Sequence, residues 1–305
     1  MSRLAFLVLA HADAAHLQAL VAQLVPAGDV YLHIDAKADL SSFAALKEMP
    51  GVRFATHRHA IDWAGFSMVE ATLGLMRDAL AASTPYAYLV LLSGSCFPLR
   101  PVEELNRHLA RTPGRQVIRY LDMRESATHY MRHINRRWFK RPMYRGRVRP
   151  LVLLDKAVRR VGNMLRLPNA WPEGVVPYFG SQWWALTADC CRYVLDFVGR
   201  HPEFVEANRL SFSPDEHFFH TIVGNSPFAA AADGLQPFEG VGTYRMANLH
   251  VIDPSLQRWF IEDDWPTLSA SDKYFVRKVG SATGAGLVAR IKQERLSATH
   301  SPEEH

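Results

Sequence analysis

Leu4-Ala-Phe-Leu-Val-Leu-Ala10, followed by His11-Ala-Asp13, is the stretch on which the reading of this chain turns. Seven apolar residues behind one arginine, with Ala10-His-Ala12 at their end, have the outline of a secretory signal. The run is short for that purpose and its basic head is a single residue, so it reads as a buried first strand. The residues beyond it repeat the theme. Ala14–Leu24 has helical spacing, Val30–Ile34 reads as a strand, Ser41–Glu48 as a helix and Val52–Ala55 as a strand. Ser67–Ala82 is a long helix, Tyr86–Leu92 a strand running into Ser93-Gly94, Val102–Ala110 a helix and Gln116–Tyr120 a strand. Short apolar strands alternating with helices predict an α/β fold, a doubly wound, mostly parallel sheet flanked by helices. In such sheets ligands lie at the carboxyl ends of the strands. That rule selects His11-Ala-Asp13, His33-Ile-Asp35 and Ser93-Gly-Ser-Cys96.

Between residues 123 and 178 the pattern breaks. Basic residues crowd from Arg132 to Arg160, the segment interleaves the aromatics Tyr130, Trp138, Phe139 and Tyr144, and a helix is predicted over Val152–Leu165. The segment is either an acceptor-binding or lid-like excursion or a solvated basic face. Regular elements resume with a strand at Gln182–Leu186 and helices at Ala188–Val198, Glu216–Ile222 and near Leu287–Arg295. The expected organisation is one domain over 1–295: a nucleotide-binding half (1–122), the Arg-rich insertion (123–178), an acceptor and catalytic half (179–295), then a polar tail (296–305).

Composition narrows the function. Of 305 residues 48% are apolar, enough for a sizeable core. The net charge of +5 and the isoelectric point near 9.2 suit an anionic ligand. No nucleic-acid reading motif accompanies the charge, so nucleic acid is not an expected partner. Three cysteines, two of them adjacent, make neither a disulfide framework nor a zinc site and point to a reducing compartment. The 14 histidines are scattered without HExxH spacing. No run approaches the ~20 apolar residues of a membrane span. The expected location is the cytoplasm, with peripheral contact at the anionic inner face of a membrane through the basic segment.

Ser211-Phe-Ser-Pro-Asp-Glu-His-Phe-Phe-His220 concentrates the chemistry. Ser213 reads as a helix N-cap and Pro214 as the first helical residue, which places Asp215 and Glu216 in a first turn. There the helix dipole would keep them ionised, as a general base must be, although plain helix capping has the same signature. Asp35 closes a strand, where an acid can accept bonds from ribose hydroxyls. No Asp-x-Asp occurs to hold a metal on a diphosphate; Ser93-Gly94-Ser95-Cys96 stands at the usual place. Cations must then neutralise such a ligand, and Arg277-Lys278 is the best pair.

Taken together, five motifs resemble the core-2/I-branching β-1,6-N-acetylglucosaminyltransferases (glycosyltransferase family 14, which also contains peptide O-xylosyltransferases), in their bacterial type. They are His33-Ile-Asp-Ala-Lys37, Trp63–Thr72, Leu91–Leu99, Gly180-Ser-Gln-Trp-Trp184 and Ser213-Pro-Asp-Glu-His-Phe218; Phe275-Val-Arg-Lys278 is a sixth. The resemblance implies a GT-A fold, a UDP-sugar donor, inversion at the anomeric carbon, and neither metal nor cofactor. It makes Glu216 the base that deprotonates a glycan acceptor, and Lys278, with Arg277, the holder of the diphosphate. It places Asp35 near the nucleotide and Trp183, Trp184, Asp215 and Trp63 around the sugar cleft. A second phosphate-binding arginine is expected, at Arg258 or Arg245. N-acetylglucosamine is favoured over xylose as the sugar transferred. The alternatives are a non-catalytic glycan- or nucleotide-binding module of the same fold, and a basic nucleic-acid binder.

Overall fold

The computed structural model describes residues 3–296; of the expected polar tail, everything after Leu296 lies outside the described residues. The strands are β1 (Arg3–Ala10), β2 (Gly28–Ile34), β3 (Val52–Phe54), β4 (Tyr86–Ser93), β5 (Cys96–Pro98), β6 (Gln116–Asp122), β7 (Tyr178–Phe179), β8 (Ala185–Thr187), β9 (Ala232–Leu235), β10 (His250–Ile252) and β11 (Phe275–Arg277).

The main sheet runs β3-β2-β1-β4-β8-β6-β7, with β9 beside β6. Strand β1 pairs in parallel with β2 and β4, and β2 in parallel with β3. Beyond β4 the sheet turns mixed: β8 is antiparallel to both β4 and β6, while β9 runs parallel to β6. The doubly wound sheet of mostly parallel strands is therefore present.

Strand β1 shows why. Its side chains alternate between two cores, as a pleated strand requires. Leu4, Phe6 and Val8 pack with the helices Ala14–Leu24, Val102–Arg111 and Ser281–Ile291. Ala5, Leu7 and Leu9 pack with Ser67–Leu80, Ala188–Arg200 and Phe218–Gly224. A strand buried on both faces reads as a continuous apolar run, and so does β4; β2 is buried throughout as well but carries Asp29 and His33.

Three expectations need correction. The helix over 216–222 is split: Pro214–Glu216 is a 3₁₀ turn, and the α-helix begins at Phe218. The segment after Asn225, for which a late helix was the only regular element expected, carries β9, β10 and β11. Strands β10 and β11 join β5 in a second, three-stranded sheet that lies against the first core. The helix Pro202–Arg209, unforeseen, follows a proline at its first position.

Several of the histidines are core material. His133, His220 and His250 are buried, and burial draws each of them down to about 3. His220 Nε2 faces the Ser181 carbonyl at 3.0 Å. The unfolded chain protonates such groups near pH 6.5 and the native state does not, so the unfolded state binds more protons below that pH. Urea unfolding followed across pH is therefore expected to show stability falling as pH drops below about 6.5, each histidine adding a slope of about 1.4 kcal/mol per unit. His220→Gln, which keeps a donor for the Ser181 carbonyl, should show a shallower decline; parallel curves for the two proteins would remove the histidine account.

Candidate active site

The carboxyl ends of β1, β2 and β4 open onto a cleft of about 450 Å³. All three segments selected from the sequence reach its wall: His11-Ala-Asp13, Asp35 and Ser93-Gly94-Ser95. Trp183, Arg277 and Lys278 complete it, with Trp63 and Trp259 also in the wall. Gly94 is required there, because a Cβ would stand 2.7 Å from that of Ala10.

Asp13 and Asp35 act as local anchors. Asp13, in the left-handed region at φ 57°, accepts hydrogen bonds from His16 N (3.1 Å), Ser281 N and Ser281 Oγ (both 2.7 Å). It thereby ties the turn after β1 to the helix Ser281–Ile291. Asp35 Oδ1 accepts from Lys37 N at 2.9 Å and Ile61 N at 3.3 Å.

The cationic wall comes from β11. Antiparallel pairing of β11 with β5 sets Arg277 opposite Cys96. Its Nε donates to Ser93 Oγ at 3.2 Å, and its guanidinium lies 5.0 Å from the Trp183 ring centroid. Burial lowers the Arg277 pKa, while Asp215 and Glu216 work to hold its charge. Lys278 is drawn down as well, by burial and then by the charge of Arg277 beside it. Two adjacent cations that repel each other in a half-dry cleft form a site that favours an anion.

The acidic pair sits on a loop held at several points. Ser213, left-handed at φ 48°, donates its N–H to the carbonyl of Ala64, itself left-handed at φ 56°. Non-glycine residues held in that region cost about 1–3 kcal/mol each, which the surrounding bonds must offset. Phe212 N donates to His133 O at 2.9 Å, and Gly180 N to Glu216 O at 2.8 Å. A Cβ at Gly180 would meet the Arg119 carbonyl at 2.4 Å, so only glycine fits under the acid. Thr243 Oγ1 donates to Glu216 Oε1 at 3.1 Å.

The ionisation expected from a helix dipole is not found. Ser213 makes no side-chain cap, and a turn of three residues has almost no dipole. Burial instead raises Glu216, and the charge of Asp215 raises it further. Asp215 is raised too, by burial, with Arg277 opposing the shift. Neither acid is in the cleft wall itself, yet both feel Arg277.

Other predicted site residues divide. Trp63, 78% exposed, stands at the rim, and Trp183 lines the cleft. Trp184 does not: it is fully buried in the second core against Phe219, because adjacent residues on an extended segment point to opposite sides. Arg258 is ion-paired with Asp264 and lies over Phe260, outside the wall. Arg245 stacks on Tyr244, also outside it. Sequence reasoning missed Thr243, Trp259 and Lys140. The Lys140 ammonium lies 4.7 Å from the Phe212 ring, 5.0 Å from Trp63 and 5.8 Å from Trp138, so the insertion reaches the cleft rim. Among the described residues, no three His, Cys, Asp or Glu side chains gather as a metal site.

Known proteins resemble this chain in sequence. The human N-acetyllactosaminide beta-1,6-N-acetylglucosaminyl-transferase is 24% identical over 225 residues, 72% of this chain and 52% of that protein. Xylosyltransferase oxt of Drosophila pseudoobscura pseudoobscura is 25% identical over 291 residues, 86% of this chain and 30% of that protein. Human xylosyltransferase 1 is 28% identical over 205 residues, 65% of this chain and 19% of that protein. The chain thus spans about half, or less, of the length of these relatives. The profile of one family, described as Core-2/I-Branching enzyme, matches residues 4–232, a stretch that takes in Asp35, Trp63, Trp183 and Glu216 and stops short of Arg277. With three quarters of its length matched, the chain belongs to the Core-2/I-Branching enzyme family.

Proposed function

We propose that this protein is an inverting, metal-independent glycosyltransferase that moves a sugar from a UDP-sugar to a hydroxyl of a glycan. The observation that carries the reading is the Arg277–Lys278 pair in the wall of a cleft whose partner charges, across Arg277, are Asp215 and Glu216.

In this reading the uridine diphosphate lies along the ends of β1, β2 and β4, with Asp35 near the ribose and the diphosphate on Lys278 and Arg277. Glu216 accepts the proton of the acceptor hydroxyl. The freed oxygen attacks the anomeric carbon from the face opposite the diphosphate, the carbon–oxygen bond to the diphosphate breaks, and the configuration inverts. Negative charge develops on the leaving group, where two preorganised cations in a partly dry site stabilise it. The Thr243 hydroxyl orients the Glu216 carboxylate. Trp63, Phe212 and Trp138, gathered about Lys140, offer apolar ring faces to an acceptor sugar. The matched relatives act with N-acetylglucosamine or xylose, as their names state, and N-acetylglucosamine is the donor sugar we put first.

A thermal-shift panel of UDP-sugars in EDTA tests the donor site: stabilisation by one of them is expected, whereas stabilisation only after adding manganese would defeat the metal-free reading. Lys278→Ala should weaken UDP binding roughly tenfold to a hundredfold by removing a charge-assisted hydrogen bond. An unchanged dissociation constant would count against it.

Glu216→Gln should keep donor binding and lose about 10²–10⁴ in turnover, the range of one general base. The pH profile supplies an independent check. A base whose pKa is raised must shed its proton to work, so kcat is expected to climb with pH across the neutral range. The apparent value belongs to the acidic pair. Asp215→Asn removes a negative charge that raises Glu216, so the limb should move to lower pH; a shift upward, or none, would disprove the coupling.

A further inference from the structure

The helix Arg149–Leu165 has one buried residue, Asp155, in 17. Along the rest, Leu151, Leu154, Val158, Val161 and Leu165 recur at spacings of three and four, which places them on one side of the helix. They are 43–63% exposed, and Leu153 (64%) and Met164 (72%) widen the stripe outward. So many large apolar side chains left open on one element mark a surface that is covered in use. The helix is held by its opposite edge to the preceding part of the insertion. Asp155 accepts from Met143 N (2.8 Å) and from Arg159 Nε (2.9 Å), and Asn163 Oδ1 accepts from Phe139 N (2.9 Å).

The charge beside the stripe identifies what covers it. Lys156 and Arg160 on the helix, with Arg136 and Arg166 next to it, line a hollow of about 820 Å³. The helix has no other acid than Asp155, which is already paired. A second copy laid on this face would oppose cations to cations without an answering carboxylate. Headgroup phosphates over an apolar layer would meet both the cations and the stripe.

We propose that the Arg149–Leu165 helix lies in the surface of an anionic lipid bilayer, its apolar stripe among the acyl chains and the hollow of Arg136, Lys156, Arg160 and Arg166 over lipid phosphates. Among the described residues no helix is long and apolar enough to cross a membrane, so the contact is one of lying on, not spanning. The same insertion carries Lys140 to the Trp63 rim, so docking would bring the cleft close to the bilayer.

Co-sedimentation of the full chain with phosphatidylcholine vesicles, with and without phosphatidylglycerol, tests this. Binding is expected with phosphatidylglycerol and should weaken with salt. Leu154→Glu and Val161→Glu should each reduce it about tenfold or more, through lost apolar burial. Lys156→Ala and Arg160→Ala should each reduce it about fivefold, the effect of one cation at an anionic surface. All four sites are exposed, so unchanged circular dichroism and thermal melting will separate lost docking from lost folding. Equal binding to both vesicle types, or binding that Leu154→Glu and Val161→Glu leave intact, would overturn the proposal. A dimer in sedimentation velocity that Leu154→Glu dissociates would overturn it too and assign the face to a second copy.

Discussion

A guanidinium removed from water has to be answered by what surrounds it, and Arg277 is the group whose answers organise this molecule. It sits on a three-residue strand whose register with β5 sets it opposite Cys96 and brings its Nε to the Ser93 hydroxyl at the end of β4. The ring of Trp183 covers one side. The carboxylates that favour its cationic form are Asp215 and Glu216. The two raised carboxylates and the lowered cation thus form one electrostatic unit, whose members are each displaced from their usual ionisation by burial. Removing any one alters the others, as expected of groups that share a low-dielectric space.

The loop geometry follows from the same need. Asp215 and Glu216 could not approach Arg277 from an ordinary helix start, where first-turn acids face solvent. A short 3₁₀ turn behind a left-handed Ser213 aims them inward, and its hydrogen bond to left-handed Ala64 fixes the aim. Gly180 lies close against the Arg119 carbonyl of β6 and donates its N–H to the Glu216 carbonyl. Local backbone cost at Ser213 and Ala64 is placed where the acids must be held, which is the usual home of such conformations.

Much of the architecture was legible because the first half is built from strands buried on both faces. Runs such as Leu4–Ala10 and Tyr86–Leu92 have few other readings, and their carboxyl ends marked the cleft correctly. The second sheet was illegible for a physical reason: β5, β10 and β11 have three residues each, too few to display a period. The dipole argument at Ser213-Pro214 failed because cap chemistry read from residue types presumes a helix long enough to have a dipole. Trp183 and Trp184 were indistinguishable in sequence; only strand alternation sends one to the cleft and the other to the core. Arg258 and Arg245 rested on the resemblance and on lying upstream of Lys278, and the structure engages each elsewhere. Thr243 and Lys140 act across long sequence separations, which no local pattern carries.

The bonds between Asp13 and Ser281 join residues 268 positions apart. Translation delivers the chain from the amino end, and β1, β2 and β4 can pair once the first hundred or so residues are available. The cleft at their ends then has a floor but no cationic wall, and the turn after β1 lacks its clamp. Both arrive only with β11 and the helix that follows it. The site is therefore complete only once β11 has emerged, and a ribosome-bound intermediate carries the acids of residues 215 and 216 for some sixty residues before the arginine that answers them.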